Sequence, residues 1–387
     1  MKIIYLYSHI FTERDYDRFG LKQILKSNIE VYLLNLSFIY YDNLYLKLPD
    51  MKPFYFNGYH EIKSLDELKV ILDVLITSDN DRLFPILPND LKTLKIMRFI
   101  HQRYPLIQQI QYATNIIPPV FSSLAYSVFN IPNIAKLLLK RIIFSCFFPK
   151  VNLLLAGSKK NVEYLHKSGV LGKYTKIVHA HTMDIENIIS TCTSMENNNE
   201  IEKYIVYIDT SVADASDYIT LDIKHTIDKK SYYKKLFDFL TFLENEYNLK
   251  VIIAAHPTSL LLTENEGEFN GFSYYKYKTN TLVKYCEFCI CEATTAISYP
   301  IIYHKPFIFF MMTEVLFFES YAKSFANSTR KKLIYIDKTV SLKEEIDLEL
   351  ENTSGYENYL LDYLIYEKSD VFDKKSIWNV LVSILDK

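Results

Sequence analysis

LKVIIAAHP, residues 249–257, and FCICEATTAIS, residues 288–298, decide the fold. Each is an apolar run of strand length that ends abruptly in small and polar residues. Strands of a parallel sheet covered on both faces read this way, and their carboxyl ends carry the ligand loops. About one β-α unit separates the two runs, so both polar ends are expected on the same sheet edge. Working outward, KYIVYIDTS (203–211) is another such strand and 231–247 has the apolar spacing of a helix. Beyond Ser298 a helix and the strand of HKPFIFF follow. The same grammar opens the chain: MKIIYLYSH (1–9) as strand, a helix-like stretch near Arg18 to Ser27, and IEVYLLNLS (29–37) as strand. KVILDVLITS (69–78), with the polar TSDND at its carboxyl end, is predicted as a further strand, as are IQQIQYAT (107–114) and VNLLLAGS (151–158). Strands alternating with helices predict an α/β protein built from doubly wound parallel sheets.

A chain of 387 residues exceeds one ordinary core. The polar turn around SMENNNEIEK (194–203) is the best boundary, giving domains at 1–190 and 191–373. The amphipathic stretch KKSIWNVLVSILDK (374–387) is expected as a helix that packs back on the first domain. Hydrophobic residues at 49% and charged residues at 23% fit a globular chain and exclude a disordered one. The 32 Tyr and 25 Phe, beside abundant Ile, Lys and Asn, read as base composition and are discounted as a functional signal. A net charge of −2, with no basic tail, argues against nucleic-acid binding.

The apolar run at 1–7 is far shorter than the ~20 residues of a membrane span. Cys146, Cys192, Cys286, Cys289 and Cys291 are an odd set without an export signal, which points to reduced thiols in a cytoplasm. The last three imitate a metal spacing, but on a strand alternate side chains face opposite ways, and buried thiols are the expectation. Residues 116–150 are apolar and aromatic, with Lys136, Lys140, Arg141 and Lys150 as their charges and Pro118, Pro119 and Pro132 as breaks. They read either as a pair of core helices or as a basic amphipathic surface. The second alternative implies peripheral contact with the inner face of the plasma membrane or with a lipid-linked acceptor.

Chemistry concentrates in the loops. Pro257 fixes the backbone after His256, so that the ring and nearby amides can face a nucleotide, and Thr294, Thr295 and Ser298 offer hydroxyls to a phosphate at the start of a helix. The alternative is that these residues cap a turn and a helix. The pair resembles the nucleotide-binding half of GT-B glycosyltransferases, above all the bacterial sialyltransferase, polysialyltransferase and capsule Kdo-transferase group. There an HP motif and a downstream Ser/Thr-rich motif bracket a CMP-sugar. Most of the chain is also similar to uncharacterised proteins of surface-polysaccharide clusters, through a TxRDxxRxG opening (Thr12, Arg14, Asp15, Arg18, Gly20) and the segment 232–257.

The resemblance implies two Rossmann-like domains facing a central cleft and a metal-independent glycosyltransferase that needs no cofactor. Its expected donor is a nucleotide-activated sugar, of CMP-ulosonic type (sialic, legionaminic, pseudaminic or Kdo), and its acceptor a surface glycan or lipid-linked glycan. His256 would stand at the donor phosphate or protonate the departing nucleotide, with Thr294 and Thr295 on the phosphate. Glu292 and Ala293 stand where hydroxyl-rich residues are expected, so a carboxylate enters the motif. A UDP-sugar transferase, a CDP-glycerol-type phosphotransferase, a UDP-sugar 2-epimerase and a non-catalytic glycan-binding partner remain alternatives.

An inverting transfer needs a base for the acceptor hydroxyl. Asp15 is the candidate, with Arg14 and Arg18 to hold it ionised or grip an anionic acceptor; the alternative is a salt-bridged helix start. VHAHTMD (178–184) offers His179, His181 and Asp184 as a cleft or hinge cluster, with no third ligand assured for a metal. Asp209, Asp214 and Asp217, after the strand KYIVYI, would orient the donor or serve as ordinary loop residues.

Overall fold

The computed structural model describes residues 1–41, 44, 48, 51–88, 90–113, 118, 142–192, 202–214, 227–257, 259, 261, 262, 264–366 and 375–386. The chain forms two compact units: Met1–Thr114, Leu124–Ile189 and Ile365–Lys387 make the first, and Asn115–Ser123 with Ser190–Leu364 make the second. Most of the 116–150 stretch, on which the core-helix and membrane-facing alternatives rest, lies outside the described residues, as do Asp217 and most of the polar run at 194–203.

The first unit holds a seven-stranded sheet of β1 (Lys2–Tyr7), β2 (Glu30–Asn35), β3 (Tyr59–Glu61), β4 (Arg82–Ile86), β5 (Gln108–Ala113), β6 (Val151–Ala156) and β7 (Leu171–His179). Its order is β3-β2-β1-β4-β5-β6-β7 and every pairing is parallel. The continuous apolar character of β1 follows from burial on both faces. Ile3, Tyr5 and Tyr7 enter one core with Val31 and Leu33, while Ile4 and Leu6 enter the other with Leu34 and Leu68.

The predicted strand at 69–78 is a helix, Leu65–Leu75. Ser64 caps it by accepting from the Glu67 amide at 3.1 Å, and Leu68, Leu72 and Leu75 supply the buried stripe at helical spacing, with Val70 and Val74 outside. The strand of that β-α unit is β4, which carries Pro85. The helix-like stretch near Arg18 to Ser27 is two short helices, Glu13–Arg18 and Leu21–Ile24, broken at Gly20.

Gly20 has φ +69°, and a Cβ there would come within 2.1 Å of the Trp378 ring. That ring belongs to the helix Ile377–Leu385, whose Ile377, Trp378 and Leu381 complete the first unit's core, against Phe84 and Tyr112. Glu186 ties the helix in place: its Oε2 accepts from the Ile377 amide at 2.9 Å and sits 2.9 Å from His181 Nε2.

The second unit's seven-stranded sheet contains β8 (Tyr204–Ile208), β9 (Lys250–Ala255), β10 (Glu266–Phe269), β11 (Phe272–Lys276), β12 (Phe288–Cys291), β13 (Phe307–Met311) and β14 (Leu333–Tyr335), in the order β10-β11-β9-β8-β12-β13-β14. All pairs are parallel except the β10–β11 hairpin, whose turn residues Asn270 (φ 52°) and Gly271 (φ 86°) take the left-handed conformation that two-residue hairpin loops need. The helix Lys229–Tyr247 covers one face with Tyr232, Leu236, Phe239, Leu240 and Leu243.

In each sheet the chain first steps one way and later returns to step the other. The reversal falls between β1 and β4 in the first unit and between β8 and β12 in the second. At such points the crevice beyond the carboxyl ends of the strands is open to a ligand.

Candidate functional site

The crevice of the first unit is a cavity of about 410 Å³ lined by Tyr7, Ser8, Asp15, Arg18, Pro88, Gln111 and neighbouring apolar side chains. Asp15 is buried at the third position of the helix Glu13–Arg18. Its Oδ2 accepts from the Thr12 amide at 3.1 Å and the Thr12 hydroxyl at 2.8 Å, a capping box. Two of the quoted opening residues therefore shape a helix start, and Gly20 shapes its end. Arg18 forms no ion pair among the described residues; its guanidinium lies 5.9 Å from the Phe19 ring centroid. The Gln111 Oε1 is buried without a hydrogen-bond partner among the described residues. Burial first, then the charge of Asp15, pushes the Tyr7 phenol well above its ordinary range, so it stays a donor. Arg14 neighbours this loop but does not line the cavity.

His181 lies beyond the end of β7, not on it with His179, and forms an isolated bridge with Ile365. Its ring is buried against Glu186 and its carbonyl accepts from Tyr112 at 2.6 Å. Burial alone would raise the Glu186 carboxyl, but hydrogen bonds from His181, Ser376 and the Ile377 amide outweigh it and leave the group below its ordinary value. Asp184 lies in the first turn of the helix Met183–Cys192, and the His179 ring stacks on Tyr366 at 3.7 Å. His181 and Glu186 together anchor the terminal helix.

In the second unit β9 and β12 flank β8 on either side and run parallel to it, which brings the His256–Pro257 loop and the Glu292–Ser298 loop to one sheet edge beside Asp209–Ser211. Asp209 holds the HP loop directly. Its Oδ2 accepts from the His256 amide at 3.1 Å, and its Oδ1 from the Ser211 amide at 2.7 Å. Ser211 has φ 53°, and its buried hydroxyl has no partner among the described residues. Glu292, buried at the end of β12, accepts at Oε2 from Thr210 (2.6 Å) and Tyr207 (3.3 Å) and at Oε1 from Tyr232 (2.9 Å). Burial raises the Glu292 carboxyl to about 7 and raises that of Asp209 as well, the second against the pull of its backbone donors.

Thr294 caps a single turn of 3-10 helix, Thr295–Ile297, by accepting from the Ala296 amide at 3.2 Å. Thr295 is half-buried, whereas Ser298 is buried outright at the start of the five-residue helix Ser298–Ile302. The hydroxyl-rich loop is thus a tight turn and lacks the long helix whose dipole would favour an anion. Asp214 is buried between Lys229 and Tyr233, which both hydrogen-bond to it. Cys286, Cys289 and Cys291 are buried, with the first two sulfurs 3.5 Å apart, and no group of metal-ligating residues occurs among the described residues. Tyr207, Thr210, Tyr232 and Gln111 escaped the sequence reading. No motif marks them, and the two tyrosines are lost among 32 of their kind.

No protein-family model matches the chain, and neither does any curated protein. Solved structures do. The UDP-GlcNAc 2-epimerase of Methanocaldococcus jannaschii matches with a TM-score of 0.52 at 13% identity, over 100% of this chain and 99% of its own; another structure of that enzyme holds UDP-GlcNAc and UDP. A variant of the wall teichoic acid polymerase TagF matches at 0.52 with 10% identity, over 100% and 88%. The spinosyn rhamnosyltransferase SpnG, complexed with thymidine diphosphate, matches at 0.50 with 12% identity over the whole of both chains. At such identities the likeness is one of fold. The chain has a GT-B-like α/β fold with two Rossmann-like units. No helix among the described residues is long and apolar enough to cross a membrane.

Proposed function

We propose that the chain is a glycosyltransferase whose nucleotide-sugar donor binds at the carboxyl edge of β8, β9 and β12. The observation that carries this reading is the bond from the His256 amide to Asp209, which fixes the HP loop at the reversal point of the second sheet. In this reading His256 meets the donor phosphate, Thr294 and Thr295 approach it from the β12 loop, and Pro257 limits the ordering cost of binding. The acceptor enters the cavity of the first unit, where Arg18, with Arg14 near it, grips an anionic group and Asp15 takes the hydroxyl proton. The donor is a CMP-ulosonic acid and the acceptor a surface or lipid-linked glycan. The resemblance of the HP and Thr-rich pair supports the donor assignment.

A UDP-sugar 2-epimerase is the second reading, favoured by the fold match to the archaeal epimerase along both chains. A thermal-shift panel of CMP, CDP, UDP and GDP, with wild type and His256→Ala, separates the two. A ligand at a hundred times its dissociation constant stabilises by about 2.7 kcal/mol. The expected outcome is protection by CMP that disappears in the variant. Protection by UDP, together with conversion of UDP-GlcNAc in the absence of any acceptor, would replace the transferase reading with the epimerase one.

A further inference from the structure

The acids at the donor edge carry an arrangement that nucleotide contact alone does not use. Asp209 and Glu292 share one phenol: the Tyr207 oxygen is 3.4 Å from Asp209 Oδ1 and 3.3 Å from Glu292 Oε2. Among the described residues no lysine, arginine or histidine side chain forms an ion pair with either. Among the described residues the titratable and polar groups at the pair are Tyr207 on β8, Thr210 in the loop after it, Tyr232 and Tyr233 on the helix Lys229–Tyr247, Cys291 on β12 and His256, whose amide bonds to Asp209. Asp214 adds a third acid, matched by Lys229. Two neighbouring carboxyls withdrawn from water and unmatched by a cation retain a proton between them. Asp209 is the one better held as an anion, because two backbone amides point at it. Glu292 meets hydroxyls, which accept as readily as they donate.

We propose that Glu292 is a positioning residue that takes up a proton from solvent when an anionic nucleotide binds in the second unit, leaving Asp209 as the single charge that holds the HP loop. The inference rests on the donor site proposed above and deepens it. An incoming phosphate makes a second negative charge at this edge more costly, so binding favours the protonated form, and by reciprocity protonation favours binding. The proton resides on Glu292 Oε2 and is offered to the Tyr207 oxygen, whose own hydrogen turns to Asp209 Oδ1. Nucleotide affinity then falls as pH rises through neutrality. If binding lifts the carboxyl by about one unit, affinity is about tenfold higher below the transition than above it.

The test is calorimetric titration of the full chain with CMP and with UDP at about pH 7.5, where a phosphate with a second ionisation near 6 is almost wholly charged. Repeating it in Tris and in HEPES converts the buffer dependence of the heat into protons exchanged. Wild type is expected to take up about half a proton per site. Glu292→Gln is expected to bind without uptake, and Tyr207→Phe with reduced uptake. Binding without uptake by wild type overturns the inference and leaves the donor site standing; failure of both nucleotides to bind overturns both. Undiminished uptake in folded Glu292→Gln moves the proton elsewhere and overturns it too. Should that variant not fold, wild-type affinity from about pH 6 to 9 decides, because a flat profile is incompatible with the proposal.

Discussion

The loops after β1 and after β8 hold the same topological position in their two sheets and are finished differently. The first leaves polar groups facing open space: Arg18 has no ion-pair partner among the described residues, and Gln111 Oε1 is buried without a bond at the wall of a cavity of about 410 Å³. The second largely closes on itself, with Tyr207, Thr210 and Tyr232 occupied by Glu292 and two amides occupied by Asp209, and leaves the buried Ser211 hydroxyl without a partner among the described residues. One edge stands open to space. The other spends most of its polar atoms on holding its own backbone, which under the proposed function is the backbone that a nucleotide meets. Equivalent places in the two sheets are thus finished with different residue types.

The comparison can be broken at several points. The largest effect is expected in the first unit, from Trp378→Ala, which empties the site of the largest fully buried side chain and should cost about 3–5 kcal/mol by calorimetry or urea denaturation. Trp378→Phe should cost much less, since the indole N–H has no partner among the described residues. In the second unit, Glu292→Gln should change the pH dependence of stability. The folded carboxyl titrates near 7 and the unfolded one near 4.5, so the folded state binds the extra proton between those values and its stability declines as pH rises from about 4.5 to 7. The variant should lose that slope and gain about 3 kcal/mol near pH 8. If the slope persists, the acid pair is not the sealed network described.

Smaller effects sharpen the distinction. Thr12→Ala removes a cap from the first loop and should cost about 1 kcal/mol, read by the fluorescence of the lone tryptophan, which reports on the first unit. Thr294→Ala removes the corresponding bond in the second unit and should cost about 0.5 kcal/mol, invisible to that tryptophan. Asp15→Asn should leave nucleotide protection unchanged and lower turnover by about a hundredfold or more.

The parallel strands were legible because burial on both faces forces continuous apolar runs, and β1, β2, β5, β6, β8, β9 and β12 all read so. The run at 69–78 misled for the same reason: Val70, Ile71 and Leu72 look like a strand, while the Ser64 cap and the spacing of Leu68, Leu72 and Leu75 belong to a helix. β4 was hidden by Pro85, which reads as a breaker in RLFPI. At the candidate site the loops were visible and their purpose was not. Glu292 stood out as a departure from a hydroxyl-rich pattern, but its partners Tyr207 and Tyr232 come from a strand and a helix whose side-chain directions no local pattern records. The capping role of Asp15 was available in TERD, since Thr12 with an acid three residues later is a helix-start signature.

The helix Ile377–Leu385 has a consequence for how the molecule is made. Its tryptophan fills a core laid down by residues made much earlier, and the Ser190–Leu364 segment of the second unit is translated in between. At about 5–20 residues per second the early sheet waits roughly 10–40 s with a hollow beside Gly20. During that interval the second unit can reach its final form while the first cannot. Nascent chains halted before residue 377 should therefore resist protease in their later-made half and yield in their earlier one, the reverse of the usual order of vectorial folding.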